Sequence, residues 1–312
     1  MRLFIPIIAA LALLAGPAQA EWAPKGPIKF WIGFGAGGGT DTQARALAEE
    51  LEALKGWRII PENKAGGGGA VMAAQLKNEP ADGQTLGLAI NTTFDFATIG
   101  NENISIDDFT YITMTAGSQM AVLARADSGW KSLDDMVNAA KSGTKIVWAN
   151  WGNQVQAGAE MVARHYGIEV NHLRGKGGKS AINALVAKDA NVGWGGGVQG
   201  PLVAAGELVI LASAEPQPLV QAPKQPTLID LGVMKTGLGF QFLLAAPKGL
   251  SNNARDAIAA AIHEVLKNPE TKTAKFITKQ YPPGPLMTSG DALTAQLKKN
   301  LEANKELVKL VK

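Results

Sequence analysis

The chain of 312 residues predicts an α/β protein built as two lobes, each a parallel-rich sheet flanked by helices, with a double-crossover hinge between them. Three observations carry this. Short apolar runs alternate with amphipathic segments, which is the rhythm of βαβ units. That rhythm breaks and restarts in mid-chain. The C-terminal part is helical after one last strand, and those helices need a sheet to cover. Composition bounds the rest. Hydrophobic residues make up 46%, charged residues 18%, and cysteine is absent, so neither disulfides nor thiolate chemistry contribute. A net charge of +3 is too small to argue for nucleic acid or an anionic membrane surface.

The first twenty residues read as a leader. Met1-Arg2 is positive, Leu3 to Ala15 is apolar except for Pro6, and Gly16-Pro17-Ala18-Gln19-Ala20 ends in an A-x-A cleavage pattern. The apolar run, about 13 residues, is too short to span a hydrocarbon core of roughly 30 Å. The expectation is a signal peptide over 1–20, cleaved after Ala20, and a mature protein in the periplasm. ATP and nicotinamide cofactors are not at hand there.

Ile28 to Phe34 reads as a buried strand. Thr40-Asp41 is the expected cap of a helix whose Ala44, Leu47, Leu51 and Leu54 share one face, with Gly56 as its stop. Trp57 to Pro61 is a strand, and the Gly66 to Gly69 run opens a helix through about Lys77. Asp82-Gly83 turns into a strand at Gln84 to Ile90. After the break come a strand at Ala121 to Arg125, a helix from Ser132 to Lys141 and a strand at Lys145 to Ala149. A helix at Val155 to His165, a strand at Glu169 to Leu173 and a helix near Lys179 to Ala187 follow. Asn191 to Trp194 and Leu208 to Ser213 are short strands, and the four prolines between Glu215 and Pro226 mark irregular chain. Phe240 to Ala246 is the last strand. Helices follow at Ser251 to Leu266, after Pro269, and from Asp291, the last with Leu293, Leu297 and Leu301 on one stripe. Folding these helices back on the first unit gives lobe 1 as 21–117 plus 240–312 and lobe 2 as 118–239. The chain then crosses near Thr115 to Met120 and near Gly237 to Phe240. No internal sequence repeat is evident.

Candidate chemistry lies in glycine-rich and polar loops at strand ends. Gly33-x-Gly35-x-x-Gly38 imitates a dinucleotide fingerprint, with Glu62 near the end of the next strand. An exported location and a glycine run continuing to Gly39 argue against that reading. The physics under it survives, because glycines at a helix start aim N–H groups and the helix dipole at an anion. Gly175-Lys176-Gly177-Gly178-Lys179-Ser180 resembles a phosphate loop, but the first required glycine position is Leu173. Asn150-Trp151-Gly152-Asn153-Gln154 offers amides and a ring, Trp194-Gly195 another ring, and Asn91-Thr92-Thr93 further hydrogen-bonding groups. His165, His172 and His263 form no metal-ligand pair at helical spacing, and no nucleophile elbow is present. No catalytic residue, metal or cofactor is assigned, and binding fits these loops better than turnover.

At Phe34-Gly35-Ala36-Gly37-Gly38-Gly39-Thr40-Asp41, followed by Ala44-Arg45, the chain resembles the substrate-binding proteins of tripartite tricarboxylate transporters, the Bug receptors. The resemblance continues through Glu62-Asn63-Lys64, Gly66 to Gly69, Pro80-Ala81-Asp82-Gly83, Thr85-Leu86 and Asp108-Phe109. It extends to Gly206-Glu207-Leu208, Pro226-Thr227 and Ala246-Pro247-Lys248-Gly249, so it covers nearly the whole mature chain in order. It implies a monomeric periplasmic binding protein of the Venus-flytrap type. Such a receptor closes on a small organic carboxylate and delivers it to the membrane subunits of a permease, with no nucleic-acid partner. Its site maps onto Phe34, Ala36, Gly37, Gly38, Thr40 and Asp41 in lobe 1. In lobe 2 it maps onto Asn150 to Gln154 and Lys176-Gly177-Gly178.

Most departures from the family pattern fall in lobe 2. The proline before the aromatic is Gly33, and the serine-rich loop is Asn150-Trp151-Gly152-Asn153. The H-L-x-x-E motif reads Gln156-Ala157-Gly158-Ala159-Glu160, the tyrosine before K-G is Gly175, and a polar position after the later strand is Gly195. Tryptophans gained and a tyrosine lost lead to an expected ligand with an apolar or aromatic body. An aromatic acid or a dicarboxylate is favoured over citrate. The alternatives are an exported or misrouted nicotinamide-dependent oxidoreductase using Gly33-x-Gly35-x-x-Gly38 and an orphan receptor feeding a signalling partner.

Overall fold

The computed structural model describes residues 22–311. The expected leader and its cleavage after Ala20 lie outside the described residues. The chain opens with β1 (Ile28–Ile32), α1 (Gly39–Lys55), β2 (Ile59–Asn63), α2 (Ala70–Leu76), β3 (Thr85–Ile90), the single turn α3 (Asn91–Phe94) and β4 (Phe109–Gly117). It then crosses to a second sheet. There it forms β5 (Ala121–Arg125), α4 (Leu133–Lys141), β6 (Ile146–Asn150), α5 (Asn153–Tyr166) and β7 (Val170–Arg174). α6 (Gly178–Val186), β8 (Val192–Gly195), α7 (Gly200–Ala204) and β9 (Leu208–Ser213) complete it. It returns as β10 (Gln241–Pro247) and ends in α8 (Asn252–Lys267), α9 (Lys272–Gln280) and α10 (Gly290–Val311).

The sheets run β2-β1-β3-β10-β4 and β7-β6-β8-β5-β9. They share one topology although the sequence shows no repeat: β1, β2 and β3 correspond to β6, β7 and β8. Each sheet is mixed, where the rhythm alone suggested parallel-rich. The first pairs β1 with β2 and β3 in parallel, but β10 runs antiparallel to β3 and β4. In the second, β6 pairs in parallel with β7 and β8, and β5 runs antiparallel to β8 and β9. The physical reason is the crossing. β5 and β10 each enter from the other sheet, so they run against the βαβ strands.

Local rules place most elements. β3 is buried at every position, as a central strand requires. α1 buries Ala44, Leu47, Ala48 and Leu51 and stops at Gly56, which takes the left-handed φ of 68°. Its N-cap is Gly38, so the expected cap at Thr40-Asp41 shifts into the first turn. α4 begins with a capping box, in which Ser132 Oγ accepts from Asp135 N–H and the Asp135 carboxylate accepts from Ser132 N–H. β4 was not anticipated from the sequence. Its Thr113 and Thr115 are buried polar residues that blur the pattern, satisfied by His263 Nε2 at 2.7 Å and Gln43 Oε1 at 2.7 Å. The crossing that follows is therefore shorter than Thr115 to Met120. On α10, Leu293 and Leu297 are fully buried and Leu301 packs beside them. No helix among the described residues is long and apolar enough to cross a membrane.

Asp95, just after α3, is fully buried and accepts from Asn91 Nδ2 at 2.9 Å and from Asn304 Nδ2 of α10 at 3.1 Å. Burial pushes its carboxyl up to about 7, against the hydrogen bonds that lower it. Between its ordinary value of 3.8 and about 7 the folded chain holds a proton that the unfolded chain releases. Stability therefore falls as pH rises through that window, by at most about 1.4 kcal/mol per pH unit from this group. Urea melts from about pH 5 to about pH 7 should show the decline, and Asp95→Asn should flatten it. A variant with an unchanged slope would assign the decline to other groups.

Candidate ligand-binding cleft

The loops that follow β1, β6, β7 and β8 meet in one cleft between the sheets, at the C-terminal ends of parallel strands, where α/β folds bind ligands. The main cavity there has a volume of about 130 Å³. On one side lie Phe34, Ala36, Gly38 and the first turn of α1, Gly39 and Thr40. Facing them are Trp151 and the start of α6, from Lys176 to Ser180. Ile90, Phe240, Phe242 and Tyr281 close the back. The two sides touch directly: Gly35 N–H donates to the Lys176 carbonyl at 3.0 Å.

Both helices enter the cleft without a side-chain cap, because Gly38 and Gly177 stand at their N-caps. A helix start leaves its first N–H groups without intrahelical partners and carries partial positive charge. Here those of α1 and α6 face one space. Lys176 and Lys179 add full positive charge at its rim, and both are exposed. The remaining wall is largely aromatic and aliphatic.

The α1 loop is held from behind. Asp41 Oδ2 accepts from Gly37 N–H at 2.9 Å, and Oδ1 accepts from Arg45 Nε at 3.0 Å and from Asn63 Nδ2 at 2.9 Å. Asn63, the last residue of β2, also donates to the Phe34 carbonyl at 2.9 Å. The Asp41 carboxylate is thus fully engaged in shaping the loop. Gly37 sits at φ 73°, where a side chain would be strained.

The β6 loop has its own knot. Trp194 Nε1–H donates to Asn150 Oδ1 at 3.0 Å, which fixes the amide's orientation. Asn150 Nδ2 therefore donates, to the Trp148 carbonyl at 2.8 Å and to His172 Nδ1 at 3.0 Å. It follows from this network that His172 Nδ1 is the acceptor, and its Nε2 carries the hydrogen given to Glu160 Oε1 at 2.6 Å. Trp148 and Trp194 pack at 5.1 Å and both are fully buried.

A family model described as "Tripartite tricarboxylate transporter family receptor" matches residues 43–307. The chain belongs to that family. It is a solute-binding receptor of the periplasmic binding-protein type, as the resemblance in its loops implied. "UPF0065 protein in gbd 5'region" from Cupriavidus necator is 29% identical over 283 residues, spanning 88% of this chain and 86% of that one. Two solved structures show the same fold. MatC from Rhodopseudomonas palustris, with bound malate, has a TM-score of 0.81 at 21% identity, covering 92% of this chain and 100% of its own. An R. palustris protein with adipate has a TM-score of 0.80 at 18% identity, covering 92% and 98%.

In this receptor the main cavity gathers Phe34, Ala36, Gly38, Thr40, Trp151, Lys176, Gly177 and Gly178 of the expected site. A second hollow, of about 20 Å³, takes Thr92, Gly152, Asn153 and Gln154, with Trp151 between the two. The other expected residues lie outside both hollows. Gly37 and Asp41 shape the α1 loop. Asn91 pairs with Asp95 and accepts from Gln241 N–H at 2.8 Å, and Thr93 donates to the Gly68 carbonyl at 2.7 Å. Asn150 and Trp194 belong to the knot, and Gly195 is a strand residue whose neighbour Gly196 lines the cavity instead. Reasoning from sequence missed Gly39, Lys179, Ser180, Phe240, Phe242 and Tyr281 in the wall. Lys179 and Ser180 stood in the motif already singled out; nothing near Tyr281 signalled a cleft.

Asn150 is thus the centre of the knot behind the β6 loop. Asn150→Ala would strand the buried Trp194 Nε1–H and leave His172 Nδ1 without its donor, at about 1–3 kcal/mol for each unsatisfied group. The expected outcome is a loss of about 2–4 kcal/mol in urea denaturation. Wild-type stability in this variant would show that the amide does not organise the loop.

Proposed function

We propose that this receptor works in the periplasm after removal of its leader. It binds one small organic carboxylate between a lobe of residues 21–117 plus 240–312 and a lobe of residues 118–239, and hands it to a tripartite tricarboxylate-type permease. The observation that carries this reading is the convergence of two uncapped helix starts, one from each sheet, on one cavity. Backbone N–H groups there suit an acceptor-only anion. A ligand that touches both starts favours the closed arrangement, since only contacts made in one state shift the balance toward it.

The wall argues for the body of the ligand. Phe34, Trp151, Phe240 and Phe242 present rings and apolar surface, while the cationic side chains are confined to Lys176 and Lys179. Citrate carries three carboxylates and would leave at least one against an apolar wall, a costly desolvation. A dicarboxylate with a carbon chain, or an aromatic acid, leaves no such group unpaired. The malate in MatC and the adipate in its R. palustris counterpart support the dicarboxylate class.

Intrinsic tryptophan fluorescence, to which Trp151 in the wall contributes, and thermal shift, both titrated with adipate, benzoate and citrate, test the preference. Adipate or benzoate at about 100 times its dissociation constant should add roughly 2.7 kcal/mol to the native state, with citrate well behind. Tight citrate binding with no response to the other two would reverse the assignment. Thr40→Ala should weaken binding of the preferred acid by about 0.5–1.5 kcal/mol or somewhat more, because its partner is charged, and leave the ligand-free melting temperature unchanged. A variant that melts early yet binds like wild type would remove Thr40 from the site.

A further inference from the structure

Tyr281 follows α9, far along the chain from either cleft loop, yet its ring is 1% exposed and forms part of the cavity wall. Two glycines make room for it. A Cβ on Gly39, the first residue of α1, would lie 1.8 Å from the Tyr281 hydroxyl oxygen. A Cβ on Gly197, in the turn after β8, would lie 2.1 Å from the ring edge. The ring is therefore clamped between backbone from the side of each sheet. Phe242 and Phe276 pack edge-on against it at 5.0 and 5.8 Å.

The hydroxyl has no hydrogen-bond partner among the described residues. A buried tyrosine hydroxyl ordinarily finds one. Tyr111, equally buried, donates to the Ile106 carbonyl at 2.8 Å. The Tyr281 hydroxyl instead faces the cavity beside the first turn of α1, where the glycine N-cap contributes no side chain. Burial holds the phenol well above its ordinary range, so it keeps its proton and acts as a donor. The place has several donors and no carboxylate of its own among the lining residues.

We propose that the Tyr281 hydroxyl is a ligand-binding donor which, together with the first-turn N–H groups of α1, holds one carboxylate of the bound acid. The inference rests on the carboxylate-receptor reading above and names the group that fixes the ligand's anion in the first lobe. A phenol donating to a carboxylate makes a short, charge-assisted bond, about twice as strong as a neutral one. Gly39 and Gly197 then have a shared purpose: they admit the ring that aims this hydroxyl.

The test uses Tyr281→Phe, which keeps the ring and removes only the oxygen. Isothermal titration measures the tighter of adipate and benzoate on the wild type and on the variant. Infrared spectra of the same acid, isotope-labelled at its carboxylate, report hydrogen bonding to the bound anion. The expected result is affinity about tenfold to a hundredfold weaker, as for a bond to a charged group, with a shifted carboxylate stretch. Unchanged affinity would overturn the assignment and leave the receptor reading intact. Weaker binding with an unmoved stretch would also overturn it, because the tyrosine would then act only through packing. A wild type that binds neither acid would overturn both readings.

Discussion

The two backbone crossings beside the cleft are tied to each other by one half-buried carboxylate. Glu215 Oε1 accepts from Ser118 Oγ–H at 2.6 Å and from Met120 N–H at 2.7 Å, both on the outgoing crossing. Ser118 Oγ in turn accepts from Phe240 N–H at 2.8 Å, on the returning one. Gly239 allows the approach, since a Cβ there would lie 2.1 Å from Glu215 Oε2. Burial pushes the Glu215 carboxyl upward while these hydrogen bonds pull it down. Phe240 stands both in this node and in the cavity wall. The separation of the lobes and the shape of the site are thus set by the same few atoms.

A site made this way is mostly backbone on its polar side. Gly35, Gly38, Gly39, Gly177 and Gly178 bring main chain from both lobes into contact, and a side chain at Gly39 would displace Tyr281. Backbone N–H groups recognise an anion without regard to what it is attached to. Discrimination among acids then falls to the apolar wall and to the few polar side chains that reach the cavity. The polar side of the cavity is thus built from main chain with only a few side chains beside it, Lys176, Lys179 and Tyr281 among them.

Most of the fold was legible because local rules agreed with global ones. The strand at Leu208–Ser213 and the Ser132 capping box needed only pattern and propensity. β4 was hidden because Thr113 and Thr115 find their partners on α8 and α1, elements remote in sequence. The site divides in the same way. Loops between a strand end and a helix start announced themselves by glycine, and Phe34, Trp151 and Gly178 from those loops line the cavity. Whether a polar residue at a strand end faces the cleft or ties down a loop is a different question. For Asn150 it depends on His172 and Trp194, which pair with it only after β7 and β8 take their places. Tyr281 enters from beyond the last crossing, and no nearby motif marks it.

The two knots behind the loops show a common strategy across the pseudo-equivalent lobes. Asp41 and Asn63 tie the loop after β1 to the end of β2. Asn150, His172 and Glu160 tie the end of β6 to β7 and α5. One knot centres on a carboxylate and the other on an amide, so the likeness lies in position and task rather than in residue type. In both, the strongest polar side chains near the cleft are satisfied inside their own lobe. Such bonds form whether or not ligand is present, so the loops are organised before binding and their ordering entropy is not charged to the complex. Ligand contacts can then act chiefly on the relation between the lobes. A polar strand-end residue such as Asn150 or Asn63 here holds in place the loop that lines the cavity.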